Sequence, residues 1–159
     1  TGDTVVIPTT GVALGKANGA VYPNGDNAVI LGAGNVRWKQ IYAASSTIST
    51  SDARRKQDAR SLNDAERQVA KEIKPLIKMF RFSDAVNEKG EKARWHVGTY
   101  AQELEVVFKK YGLNGFDYGI LCYDEWEEER DSNNKLIKKA GSCHGVRYEE
   151  LLAFVIAAI

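Results

Sequence analysis

The chain lacks the features that mark several large functional classes. Its two cysteines are too few for a disulfide scaffold. Its 22 basic residues are balanced by 21 acidic ones, and a net charge of +1 gives no electrostatic reason to expect nucleic acid or an anionic membrane. No apolar run approaches the ~20 residues that a helix needs to cross a bilayer. We therefore predict neither nucleic acid nor membrane as a partner.

Metal and phosphate motifs are also missing. The histidines and cysteines at His96, Cys122, Cys143 and His144 contain no C-x-x-C or H-x-x-x-H pair, which argues against a zinc site. Gly32-Ala33-Gly34 is not followed by the lysine and hydroxyl residue of a phosphate-binding loop. The sequence predicts no metal and no cofactor.

Charge is distributed unevenly along the chain. Residues 1–36 hold half of the fourteen glycines but only three charged residues, whereas residues 52–159 carry nearly all the charge. A weak repeat, V-x-L-G-x-x-N, starts at Val12 and again at Val29. Repeated units with few large apolar groups cannot bury a face alone. We predict an oligomeric β stalk over 1–50 and a separate domain over 51–159, with a flexible linker as the alternative interpretation of the first part.

The pattern of residues 51–159 predicts an α+β domain of helices and β-hairpins. Asn63 and Glu66 form a capping-box pattern that starts a helix reaching about Lys74. A second helix is predicted over 99–111, with Gly112 as its C-terminal signal. Residues 79–82 and 94–97 are typical of two strands joined by a turn at 87–90.

A second hairpin is predicted over 118–142, with its turn at 132–134. That register sets Glu127–Glu129 against Lys138 and Lys139, and Cys122 near Cys143. We expect the cysteines to stay reduced. The last helix, from about Tyr148, is apolar around most of its circumference, which predicts burial in a subunit interface.

Ser51 and Lys56 stand where the two compositions meet. A serine hydroxyl needs a base to take its proton before it can act as a nucleophile, and a neutral lysine can do this. Five residues on an α-helix rotate by ~500°, which leaves the two side chains ~140° apart. The pair therefore requires a loop or non-helical turn, or a lysine from another subunit. We predict Asp52 as a cap or turn residue.

Four short motifs, one of which contains Ser51 and Lys56, together resemble those of a known family. In chain order they are Leu31-Gly32 with Arg37-Trp38 and Ile41-Tyr42, Thr50-Ser51-Asp52 with Arg54 and Lys56, His96-x-Gly98 with Ala101-Gln102-Glu103, and Val146-x-Tyr148 with Glu150-Leu151. Together they resemble the C-terminal intramolecular chaperone domain of phage tailspikes and tail fibres, best known from endosialidases. A related self-cleaving domain occurs in the myelin regulatory factor.

The resemblance implies a function and a partner. Such domains form homotrimers, guide folding of the preceding triple-β-helical fibre or tailspike in the host cytoplasm, and then release themselves from the virion component. By position, Ser51 would be the nucleophile of a self-cleaving serine endopeptidase and Lys56 its base, acting once, in cis or within the trimer. The cut would fall between Thr50 and Ser51, with Ser51–Asp52 as the alternative bond.

Two other interpretations stay open at this point. One is a structural trimerisation or receptor-binding fibre tip without chemistry, in which Lys56 lies far from Ser51. The other is a monomeric regulatory domain, which requires the last apolar helix to pack inside its own chain.

Overall fold

The computed structural model describes residues 12–15, 20–23, 25–45 and 47–159. The chain divides into two units between Tyr42 and Ala43. Within the described ranges, no helix combines the length and the apolar character needed to cross a bilayer. The functional boundary predicted at Thr50–Ser51 stays a prediction.

The first unit contains one short antiparallel pair of strands among its described residues. Strand β1 (Val12–Gly15) pairs with β2 (Ala20–Pro23), so that Val12 lies opposite Pro23. The second copy of the repeat forms no strand from 29 to 32, and only an isolated bridge joins Ala33 to Val36. The part of the first copy at 16–18 lies outside the described residues. The stalk therefore stays a prediction.

The second unit is an α+β domain of four helices and six short strands among its described residues. In chain order its elements are α1 (Asp64–Ile73), β3 (Lys78–Phe80), α2 (Ser83–Lys89), β4 (His96–Gly98), α3 (Ala101–Lys110), β5 (Leu121–Trp126), β6 (Glu129–Arg130), β7 (Leu136–Lys138), β8 (Gly141–Val146) and α4 (Tyr148–Ile156). The strands form three two-stranded antiparallel sheets, β3–β4, β5–β8 and β6–β7. The α+β class predicted from the sequence is confirmed.

Two of the helices form where their local signals predicted them. In α1, the Asn63 side chain accepts a hydrogen bond from the Glu66 N–H, and the Glu66 carboxylate accepts one from the Asn63 N–H. Helix α3 ends at Lys110 and is followed two residues later by Gly112, with φ of +73°, and the Leu113 N–H donates to the Phe108 carbonyl across that end. Both ends satisfy backbone groups that a helix leaves unpaired.

The core lies between α1, α3, α4 and the start of β5. Phe108 is fully buried at its centre, with its ring 5.0 Å from Tyr118 and 5.8 Å from Phe154. The other buried members are Val69, Ala70, Ile73, Ala101, Leu104, Val107, Ile120, Leu121 and Leu151. The second unit thus has one continuous apolar interior contributed by distant parts of the sequence.

The simple hairpin predicted between 79–82 and 94–97 is wrong in its connection. Strands β3 and β4 do pair, with Met79 opposite Val97. A helix, α2, followed by a 3₁₀ turn at Gly90–Lys92, replaces the predicted turn. Helix α2 ends at Gly90, whose φ of +55° favours glycine. The Asn-Glu-Lys-Gly stretch is therefore the end of a short helix, not a strand-to-strand turn.

The second predicted hairpin is confirmed, with a correction to its register. Strands β5 and β8 pair along their lengths, and Glu129 lies opposite Lys138 as expected. Cys122 lies opposite Gly145, however, and Cys143 lies opposite Asp124. The two cysteines are therefore offset by two positions along the sheet, and both are free thiols.

Helix α4 is divided between the domain interior and the surface. Leu151 and Phe154 are buried in the core of their own domain, whereas Leu152 and Ile156 are exposed, as is Ile159 beyond the end of the helix. The expectation that the helix is buried all round in a subunit interface is wrong for Leu151 and Phe154, which pack inside their own chain. For the exposed residues, burial in an interface stays a prediction.

A close contact between β4 and α4 gives a testable prediction about the fold. A Cβ added at Gly98 would lie 2.2 Å from the Tyr148 hydroxyl oxygen. Gly98→Ala should therefore force α4 away from β4 and lower the free energy of unfolding by about 1–3 kcal/mol. Urea denaturation measures the loss, and adding Tyr148→Phe should restore part of it. A Gly98→Ala protein as stable as the wild type would contradict this packing.

Candidate functional site

Ser51 and Lys56 meet within one chain. The Lys56 Nζ atom donates a hydrogen bond to the Ser51 Oγ atom over 2.8 Å. Both residues are exposed, as are their neighbours from Thr47 to Thr50. The contact lies on the surface of the second unit, in chain that precedes its first α-helix.

A tight turn brings the two side chains together. Residues Ala53–Arg55 form a single 3₁₀ turn, and the backbone is extended at Asp52 and again at Lys56. This is the non-helical arrangement that the five-residue spacing requires. Asp52 caps the turn, as predicted, because its carboxylate accepts a hydrogen bond from the Arg54 N–H over 2.9 Å.

The capping carboxylate is also paired with a side chain. The Arg54 guanidinium donates to both Asp52 oxygens, with a shortest distance of 2.6 Å. These hydrogen bonds, and the one from the Arg54 N–H, hold the pKa of the Asp52 carboxyl below its usual value. The Asp52 carboxylate therefore binds Arg54 within the turn, through both its backbone and its side chain.

A lysine amine 2.8 Å from a serine hydroxyl can act in two ways. When it is protonated it donates to the hydroxyl, and when it is neutral it can accept the hydroxyl proton. The distance lies in the range expected of a general base and its nucleophile. The geometry is therefore compatible with an activated serine, and the roles of Ser51 and Lys56 stay predictions.

An ion pair between an exposed arginine and a buried glutamate follows the turn. Arg60 binds Glu66 at two points, with its Nη1 and Nη2 atoms 2.7 and 2.6 Å from the two carboxylate oxygens. The Tyr118 hydroxyl donates to the same carboxylate over 3.0 Å, and the Asn63 N–H donates over 2.7 Å. Glu66 is only 1% exposed. The loop, the start of α1 and the chain before β5 therefore meet at one carboxylate.

This arrangement perturbs the acidity of both Glu66 and Tyr118. The hydrogen bonds from the Arg60 guanidinium lower the pKa of Glu66 to about 2, against the opposing effect of burial. Burial raises the pKa of Tyr118, and its hydrogen bond to Glu66 adds to the rise. Glu66 therefore stays charged across the physiological pH range.

Sequence reasoning missed the importance of Glu66 and did not find Arg60 or Tyr118. Glu66 was identified only as the third residue of a capping box. A charged residue in that position usually faces solvent, and nothing local shows that Tyr118 covers it. An arginine three residues before the cap was the only available signal for the pairing.

The residues of the other motifs act mainly in packing. The Tyr148 hydroxyl accepts a hydrogen bond from the Thr99 N–H over 3.2 Å, directly beside Gly98. Glu103 pairs with Lys78 over 2.7 Å, which joins α3 to β3. Gly32 has φ of +89° beneath Trp38 in the first unit. His96 contacts Phe80 and Phe82 through its ring.

Among the described residues, no cluster of three or more His, Cys, Asp or Glu side chains has the arrangement of a metal site. His96 lies on β4, whereas Cys143 and His144 lie on β8.

The fold and the matches to known proteins define an intramolecular chaperone domain. The model of the peptidase S74 family, described as chaperone of endosialidase, matches residues 51–113. A crystal structure described as a novel intramolecular chaperone is 37% identical and superposes with a TM-score of 0.54, and the match covers 65% of this chain and 91% of that one. The chain belongs to the chaperone-of-endosialidase family.

Tail proteins of phages share this domain. The carboxy-terminal domain of the bacteriophage T5 L-shaped tail fibre, solved with its intramolecular chaperone domain, superposes with a TM-score of 0.76 at 32% identity over 89% of this chain and 36% of that one. The tail spike protein of Escherichia virus K5 is 36% identical over 84% of the chain, and the side tail fibre protein pb1 of Escherichia phage T5 is 35% identical over 87%. The chain spans only 22% and 11% of those two proteins.

The Glu66 network predicts a pH dependence of stability. The pKa of the Glu66 carboxyl is about 2 in the folded chain, against about 4.3 for a glutamate in an unfolded chain. A lowered pKa means that its contribution is complete above about pH 5 and is lost as the pH falls toward 2. Wild type should exceed Glu66→Gln in unfolding free energy by about 2 kcal/mol at neutral pH, and the difference should shrink between about pH 4.5 and 2. Urea titrations of both proteins measure this. A constant difference would contradict it.

Proposed function

We propose that this chain is a self-releasing assembly domain of a phage tail fibre or tailspike. In this proposal residues 51–159 trimerise and direct folding of a β stalk that includes residues 1–50, and the stalk is then freed by cleavage between Thr50 and Ser51. Family membership supports the chaperone role. The single observation that supports the chemistry is the 2.8 Å contact between Lys56 Nζ and Ser51 Oγ.

The proposed reaction needs no group from outside the protein except water. Lys56 takes the Ser51 hydroxyl proton as the Oγ atom attacks the Thr50 carbonyl carbon. The peptide C–N bond breaks, an ester forms between Thr50 and the Ser51 oxygen, and the proton passes to the released Ser51 amine. Water then hydrolyses the ester, which regenerates the Ser51 hydroxyl and leaves a carboxylate on Thr50. Each chain reacts once.

The proposal couples cleavage to assembly. A lysine must be neutral to accept the proton of a serine hydroxyl. A neighbouring subunit that covered the pair would exclude water and favour the neutral amine. Chains that have not trimerised would then stay intact, and release would follow folding of the stalk. The exposed apolar residues of α4, Leu152 and Ile156, are available for such an interface.

The first experiment tests the chemistry through intact mass. Wild-type chains should separate into fragments 1–50 and 51–159, whereas Ser51→Ala and Lys56→Ala should stay whole. Loss of a nucleophile or its base should lower the rate by at least about a hundredfold. Ser132→Ala and Lys71→Ala, which alter an exposed serine and an exposed lysine far along the chain from the cut, are the matched controls and should cleave normally.

The alternatives give different results in the same experiment. A cut at Ser51–Asp52 would shift both fragment masses by one serine. A trimer that stays intact in the wild type would favour the non-cleaving fibre tip. A stable monomer in sedimentation would contradict the assembly role.

A further inference from the structure

The segment that carries Ser51 and Lys56 is exposed throughout. Between 51 and 60, all residues are exposed apart from Asp52, which is half-buried. The backbone hydrogen bonds of the turn are local, from the Arg55 N–H to the Asp52 carbonyl and from the Lys56 N–H to the Ala53 carbonyl, each 3.1 Å long. Backbone hydrogen bonds this local do not by themselves fix a surface turn to the rest of a domain. A precise contact here requires a nearby anchor in the folded domain.

Arg60 supplies that anchor. Its two-point hydrogen bond to Glu66 joins the exposed chain to a carboxylate that is 1% exposed. The Arg60 Nη1 atom also donates to the Ser61 carbonyl over 3.0 Å, so the guanidinium holds the backbone beside it. A planar guanidinium on a carboxylate fixes direction as well as distance, which a single contact does not.

The path between Lys56 and Arg60 is short and bent. Four residues can span at most ~14 Å, so an anchor at Arg60 limits how far the backbone at Lys56 can move. Asp58 adopts a left-handed backbone conformation, with φ of +53°. Non-glycine residues hold that conformation where the chain on either side imposes it. If Arg60 is released, the first anchor recedes to Leu62, which packs against the core.

We propose that Arg60, through its two-point contact with the buried Glu66 carboxylate, is a positioning residue for self-cleavage at Ser51. This inference rests on the proposed function. Arg60 touches neither reacting atom. It sets the course of the chain from Lys56 to α1, and thereby holds the amine in reach of the serine hydroxyl.

The test removes the two-point contact without leaving a buried charge unpaired. Arg60→Ala alone strands the Glu66 carboxylate and threatens folding. The variant to use is therefore Arg60→Ala with Glu66→Gln in the intact chain. Its matched control is Lys110→Ala with Glu72→Gln, which breaks an ion pair between α3 and α1 with the same two kinds of change. Both are assayed well below their thermal midpoints, after sedimentation has shown the same oligomeric state as the wild type.

Cleavage rate is the deciding measurement if the wild type cleaves. Arg60→Ala/Glu66→Gln should cleave about ten- to a hundredfold more slowly, because small misplacements of reacting groups cost that much. The Lys110/Glu72 control should cleave at the wild-type rate. Equal rates for wild type and the Arg60/Glu66 variant would overturn the inference while leaving the proposed function in place.

Hydrogen exchange tests the anchoring separately from the chemistry, because a Ser51→Ala chain should stay whole. A wild type that does not cleave would overturn the proposed chemistry and the positioning role together. In a Ser51→Ala background, breaking the two-point contact should speed amide exchange over residues 53–62 severalfold, and the control pair should not. Unchanged exchange in that segment would then overturn the positioning role.

Discussion

The Glu66 carboxylate is the constraint on which the domain's most distinctive region depends. An isolated carboxylate in a protein interior is costly, and it persists only when charge and hydrogen bonds compensate it. Here Arg60, the Asn63 N–H and the Tyr118 hydroxyl all converge on it. Because these groups come from a loop, a helix start and the chain before β5, satisfying one carboxylate fixes three segments relative to one another. Loss of Arg60 would leave the buried carboxylate without its counter-charge.

The Glu66 carboxylate and the Ser51–Lys56 contact lie in different environments. The ion pair is shielded at the Glu66 end, whereas Ser51 and Lys56 stay on the surface. In the proposed function, Arg60 anchors the chain that carries the exposed contact without enclosing it. A second subunit would then complete the exposed pair.

Short sequence signals predicted the helix ends that are set by hydrogen bonds between residues close in the chain. The capping box of α1 and the glycine end of α3 were readable because both satisfy backbone groups within a few residues. The Ser51–Lys56 geometry was likewise constrained by spacing, which excluded a shared α-helix face. Helix α2 was missed because seven residues are too few to show a helical period above noise. The two faces of α4 could not be separated, since nearly every position on it is apolar.

Residue types at short, fixed separations predicted the family, the α+β class, the main helix ends and the pair Ser51 and Lys56. These features need no contact between distant segments. The folded chain was needed to show that Glu66 is buried, that Tyr118 donates to it from 52 residues away, and that Arg60 binds it at two points. Burial depends on segments that are distant in the chain, so no local pattern reports it.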